Sequence, residues 1–183
     1  LAVTDDSVVL AGRPDAGGED RDEDDGGGRS RVRALSRHLL QTRWVSTAEF
    51  ATVVALAGAG ADVYVLDEGP ASEPGRLSRL RPDGTTETVV AGLAAPVDVA
   101  VDDDGNPYVL DRRGDELVVG WFDADADADA DADAGGATFA DAAADRVATV
   151  PGGTTCIEAG GVGVVTAAVR TDDDGTVLYR YRF

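Results

Sequence analysis

The sequence predicts an all-β chain built from about four repeats of one antiparallel meander. Three observations carry that reading. The tetrad Tyr64-Val65-Leu66-Asp67 returns as Tyr108-Val109-Leu110-Asp111, 44 residues later. Each copy closes a short apolar segment followed by a Gly-containing turn, which is how a hairpin reads. Weaker copies stand near both ends of the chain, LAVTDDSVVL from Leu1 and CIEAGGVGVVT from Cys156.

In the first unit, Val8-Val9-Leu10 lies 56 residues before Tyr64. Arg31–Phe50 then offers two strands, RVRALS and TRWVST. A helix competes there, because Val32, Leu35 and Leu39 follow helical spacing; the repeat favours strands. The second unit runs from the hairpin Val53–Asp67 through RLSRLR at Arg76–Arg81 to a fourth strand at Glu87–Ala91. The third opens on Val97–Val101, turns at Asp102-Asp103-Asp104-Gly105 and returns through Tyr108-Val109-Leu110. Gly105 supplies the positive φ of the turn, and Pro107, with no N–H to donate, must begin its strand. Glu116–Phe122 and Arg146–Val150 complete that unit. The fourth holds Cys156–Thr166 and Thr176–Phe183.

Two intervals exceed 44 residues by about 12, and each contains a low-complexity stretch, Asp15–Asp25 or the Asp-Ala run Asp123–Ala134. Insertion into surface loops explains both. The units fall at about 1–49, 50–92, 93–150 and 151–183, with disordered inserts expected at 15–28 and 123–136.

Strands such as Val97-Asp98-Val99-Ala100-Val101 are apolar on both faces. A lone meander cannot bury both, whereas meanders stacked around an axis can. A two-sheet sandwich would not predict the repeat. The predicted fold is therefore a β-propeller arc of about four four-stranded antiparallel blades. It is expected to be incomplete, as an open arc or a strained four-blade closure, since closed propellers have roughly four to eight blades. The chain starts at Leu1 and contains no Met, so a piece of a longer protein is expected.

Composition limits the partners. The formal net charge is −19, with −6 in each of Asp15–Asp25 and Asp123–Asp133. All 16 basic residues are Arg, and Asp outnumbers Glu 27 to 8. This bias fits a halophile, in which surface carboxylates hold water and salt screens their repulsion. It argues against nucleic-acid or anionic-membrane partners. No signal peptide is readable at the start, which tilts the expectation slightly toward a cytoplasmic location over secretion. Cys156 is the only cysteine, so no intrachain disulfide can form.

Leu93–Asp111 resembles an NHL-type repeat of the six-bladed, TolB-like and gluconolactonase-like propeller superfamily. The matching residues are Leu93, Pro96, Val99, Ala100, Val101, Asp102, Gly105, Asn106, Tyr108, Val109 and Asp111. Tyr64–Asp67 matches the end of that pattern. Asp98 stands where such repeats often carry Gly, and Pro107 replaces an apolar strand residue. The resemblance implies a propeller, and in lactonase-like members a divalent metal held in the central channel by Glu, Asn and Asp.

Asp98, on an innermost strand, is the one candidate metal ligand; a backbone hydrogen bond is its plainer role. Asp102–Asp104 and Asp172–Asp174, each followed by Gly, lack the register of a calcium loop and read as turns. The Asp-Ala run reads as a solvated loop. His38 is the only His, and neither Ser36 nor Ser46 sits in a nucleophile elbow. Cys156 reads as a buried structural thiol, and Gly58-Ala59-Gly60 as turn material. Arg29, Arg31, Arg33, Arg37 and Arg43 form a basic cluster expected to neutralise nearby acids. The functional expectation is a non-catalytic scaffold or binding module for a protein or small-molecule ligand, with no cofactor. The alternative is part of a lactonase-like or other hydrolytic propeller whose catalytic residues lie mostly outside this chain.

Overall fold

A computed structural model describes residues 1–12, 29–38, 41–123, 137–138, 147–171 and 175–183. All of its regular structure is β-strand. No helix of the described residues is long and apolar enough to cross a membrane, which says nothing of a β-barrel.

The first sheet is β1 (Ala2–Val3), β2 (Ser7–Gly12), β3 (Arg31–Ser36) and β4 (Thr42–Val45), in that order. The segment that competed as a helix is thus a strand pair. The second sheet is β5 (Val53–Ala59), β6 (Asp62–Asp67), β7 (Gly75–Leu80) and β8 (Thr86–Leu93). The third is β9 (Pro96–Val101), β10 (Pro107–Arg113), β11 (Glu116–Trp121) and β13 (Val147–Val150). The fourth has three strands, β14 (Thr154–Ala159), β15 (Val164–Arg170) and β16 (Thr176–Arg182). Pro107 takes the first position of β10, where its missing N–H does no harm. One element had no sequence signal. The two-residue β12 (Ala137–Thr138) adds in parallel to β8, pairing with Val90 and Ala91 of the neighbouring sheet.

Three hairpins share one irregularity. The register slips between Val53 and Ala55 in β5, opposite Leu110/Asp111 in β9, and between Thr154 and Cys156 in β14. The slip brings Ala55, Asp98 and Cys156 to one repeat position, since each is the residue just past it on its first strand. A bulge bends and twists a strand, and repeating it gives successive meanders the same set.

The core is three apolar layers between sheets rather than one centre. Val9, Val32, Ala34 and Phe50 of the first unit pack on Val63, Val65 and Leu80 of the second. Tyr64, Leu66, Leu77, Val89 and Val90 pack on Val99, Val109 and Val118 of the third. Tyr108, Leu110, Leu117 and Val119 pack on Ile157, Val165 and Ala167 of the fourth. Along β6 the side chains alternate between the layers: Val63 and Val65 face back, Tyr64 and Leu66 face forward. This is why the strands read as apolar on both faces. First strands also meet one another, β5 with β9 and β9 with β14. The fold is a β-propeller arc.

Gly58 was read as turn material, but it lies inside β5. A Cβ there would run into the backbone carbonyl oxygen of Val3 on β1. Glycine within a strand marks a close backbone approach, and here it lets the first sheet settle against the second. Gly60 alone of that trio serves the turn, at φ 58°.

Candidate functional site at the hairpin-turn rim

The residues that repeat hold the arc together. Tyr64 donates its hydroxyl to the Gly105 carbonyl in the next sheet's turn (3.0 Å). Its counterpart Tyr108 donates to Asp102 Oδ2 (3.2 Å) and lies against the Phe183 ring, 5.8 Å between centroids. Burial, then the neighbouring Asp102 carboxylate, push the Tyr108 phenol up to about 12. At the other end of the tetrad, Asp111 Oδ2 and Oδ1 accept the Ala94 and Ala95 amides (3.1 and 2.9 Å). Asp67 Oδ1 accepts the Thr52 amide (2.8 Å). Both carboxylates are fully buried, and each caps the chain as it enters its own sheet's first strand.

Asp98 also faces a neighbour. Its Oδ2 accepts the Ile157 amide of β14 (2.9 Å), bridging the first strands of the third and fourth sheets. Burial raises its carboxyl above the ordinary aspartate value, against the pull of the Ile157 and Val99 amides. At the same repeat position the second and fourth sheets carry Ala55 and Cys156. Among the described residues no group of three or more His, Cys, Asp or Glu is arranged to hold a metal ion.

The sign of the Asp98 shift gives a prediction. A carboxyl whose value is raised on folding favours the protonated native state, so its contribution is full below the unfolded value and is lost as pH rises through the folded value. Asp98→Asn keeps an acceptor for Ile157 without the charge. Urea midpoints of the two proteins should therefore diverge in favour of the Asn variant as pH rises above the ordinary aspartate range. Parallel pH profiles would contradict this.

What varies from sheet to sheet is the set of hairpin turns. Between the first and second sheets lies a cleft of about 530 Å³, lined by Thr4, Asp5, Ser7, Arg43, Trp44 and Pro82, among others. Arg43 pairs with Asp6 (3.0 Å) and approaches Ser7 Oγ (3.4 Å). Arg37 donates to the Asp5 carbonyl (3.1 Å). A second cleft of about 510 Å³, between the second and third sheets, is lined by Gly58–Gly60, Tyr64, Arg79 and Val101–Gly105. Arg79 pairs with Asp62 (2.6 Å) at its side.

Asp102 behaves as a turn residue. Its Oδ1 accepts the Asp104 and Asn106 amides (3.1 and 2.9 Å), and Gly105 takes φ 90°. Asp172–Asp174, Asp15–Asp25 and residues 124–136 lie outside the described residues. His38 is exposed in a turn. Ser46 is buried and structural: its Oγ accepts the Val32 amide and donates to the Ala48 carbonyl. In the basic cluster, Arg29 and Arg31 both pair with Glu49.

Cys156 is a correction. It is exposed, not buried. Its neighbour Ile157 points into the layer against the third sheet, so alternation turns Cys156 to the opposite face, which no core layer covers. The clefts themselves were also missed. Arg43 and Trp44 stand side by side on β4 whereas Pro82 comes from the turn between β7 and β8, and the one available signal was an aromatic and a charge inside a weak strand.

No protein-family model and no curated protein matches the chain. Solved structures do match. One, an X-ray structure ascribed to a gluconolactonase, has 14% sequence identity and a TM-score of 0.43, and the match covers 85% of this chain. The chain spans 60% of that structure's length. The fold assignment rests instead on the strand order, the shared bulge and the three inter-sheet layers.

Proposed function

We propose that the chain is a non-catalytic binding module that engages a protein or small-molecule ligand through its hairpin-turn rim. One observation carries this reading: the polar residues that recur between hairpins hold backbone and turn groups of the fold itself, whereas the turns that frame the clefts differ from sheet to sheet. Rigid repeats that present variable loops are a common basis of recognition. The acidic surface makes nucleic acid and anionic membranes poor partners. We place the chain closest to NHL-type, TolB-like propellers, on the residues of Leu93–Asp111.

The alternative, a lactonase-like or other hydrolase, requires oxygen donors on the inner strands. Asp98 is the donor best placed for it, and its Oδ2 is engaged by Ile157. The deciding assay is hydrolysis of a panel of aldonolactones with added calcium. The binding reading expects the rate of buffer alone. Calcium-dependent turnover that disappears in Asp98→Ala would replace it with the enzyme reading.

The excess of 35 acids over 16 Arg also supports adaptation to high salt. Strand circular dichroism and the thermal midpoint should both rise in molar KCl, as screening relieves carboxylate repulsion. Equal folding in dilute buffer would remove that reading.

A further inference from the structure

The cleft between the first and second sheets has both of its walls among the described residues. Thr4–Ser7 in the β1–β2 turn and Arg43-Trp44 on β4 form one wall. Ala61 in the β5–β6 turn and Pro82 in the β7–β8 turn form the other. Neighbours on a strand ordinarily face opposite sides, yet Arg43 and Trp44 line the same cleft. The register of β4 explains this. Ala34 pairs with Trp44 and Leu35 with Thr42, so Arg43 is an extra, unpaired residue. Such a bulge re-aims a side chain.

The groups gathered here are held in place but keep free capacity. Arg43 Nη1 is anchored by Asp6 Oδ2 (3.0 Å) and by Ser7 Oγ (3.4 Å), and Ser7 is buried. Arg43 Nε and Nη2 donate to no group among the described residues. The Asp5 carboxylate is likewise unengaged among them, although Arg37 holds the Asp5 carbonyl (3.1 Å). Trp44 packs half-buried on the core of the first two sheets. Its indole N–H has no partner among the described residues and is not sealed from solvent. Charge balances locally, Asp5 and Asp6 against Arg37 and Arg43, in a chain of net charge −19. A bare anion is opposed by that wider field, and a bare cation would meet two guanidinium groups. A ligand that carries both signs answers both.

We propose, resting on the reading of the rim as a binding surface, that this cleft takes a small zwitterion, a free amino acid with an apolar side chain. Its carboxylate would receive the free Arg43 donors, the charge-assisted pairing for which a guanidinium is shaped. Its ammonium would lie beside Asp5, and its side chain against Trp44, Pro82 and Ala61. The cleft volume of about 530 Å³ lies within the range of small-molecule sites.

The test titrates the full 183-residue chain, labelled with ¹⁵N, at neutral pH. The probes are leucine, N-acetyl-leucine, which lacks the ammonium, and leucine amide, which lacks the carboxylate. The reporter is the Trp44 indole N–H cross-peak, assigned by its loss in Trp44→Phe. Leucine should move it saturably, and each blocked analogue should bind at least about tenfold more weakly. Arg43→Gln should bring leucine down to the level of its amide. Asp5→Asn, on an exposed turn side chain, should bring it down to the level of N-acetyl-leucine, and serves alone if Arg43→Gln fails to fold. Equal binding of all three probes at Trp44 overturns the zwitterion and leaves the rim reading standing. No movement with leucine also overturns it, while the rim reading still admits a protein ligand. Saturable shifts on β5, β9 and β14 with none at Trp44 or in the hairpin turns would overturn both.

Discussion

Asp111→Ala should destabilise the chain by roughly 2–4 kcal/mol, because it leaves buried donors without an acceptor. The Ala94 and Ala95 amides lose their partner, and Arg113 Nε loses the carboxylate it meets at 3.1 Å. Three controls separate the contributions. Asp111→Asn retains one acceptor oxygen and should cost less. Arg113→Ala should cost little, since its side chain is 38% exposed and the ion pair is screened. Asp67→Ala should fall between them, because one amide depends on that carboxylate, from Thr52. Chemical denaturation midpoints read all four. An Asp111→Ala midpoint equal to that of the parent would mean that the carboxylate does not cap the entry to β9.

Gly58→Ala should cost about 1–3 kcal/mol, the usual penalty for forcing atoms into a filled space. The added Cβ meets the Val3 carbonyl oxygen, and a backbone atom cannot swing aside as a side-chain tip can. The damage should be local. Exchange should accelerate at Val9, Val32 and Ala34 in the first sheet, which leans on the second through that contact. Amides of β15, two layers away, should keep their protection. Uniform acceleration would point to global loosening; no change would mean that β1 does not sit against β5.

The sequence displayed those features whose surroundings recur. Tyr64 and Tyr108 each sit at the start of a second strand and reach toward the next sheet, and Asp67 and Asp111 each cap a chain entry. Identical tasks select identical residues, so the tetrad was visible as a repeat. The strand pair at Arg31–Val45 was readable for the same reason, despite a helical spacing that competes locally.

Features that occur once were hidden. Cys156 shares a register position with Ala55 and Asp98, but the faces beside Ala55 and Asp98 are covered and its own is open. Its exposure depends on a neighbouring layer, which strand alternation does not report. Gly58 looked like turn residue because Gly60, two positions on, is one; the carbonyl that excludes its Cβ comes from Val3, 55 residues earlier. The pairing of Ala137–Thr138 with β8 is a contact between neighbouring units and has no counterpart among the other described residues. The rim clefts combine side chains from four separate segments, so no local pattern announces them.

The stacking of successive sheets can be tested by nuclear Overhauser contacts from two tyrosine rings. Cross-peaks should link Tyr64 to the Gly105 turn and Tyr108 to the Phe183 ring, each joining one sheet to the next. Cross-peaks confined within single hairpins, with none between these pairs, would contradict the arc.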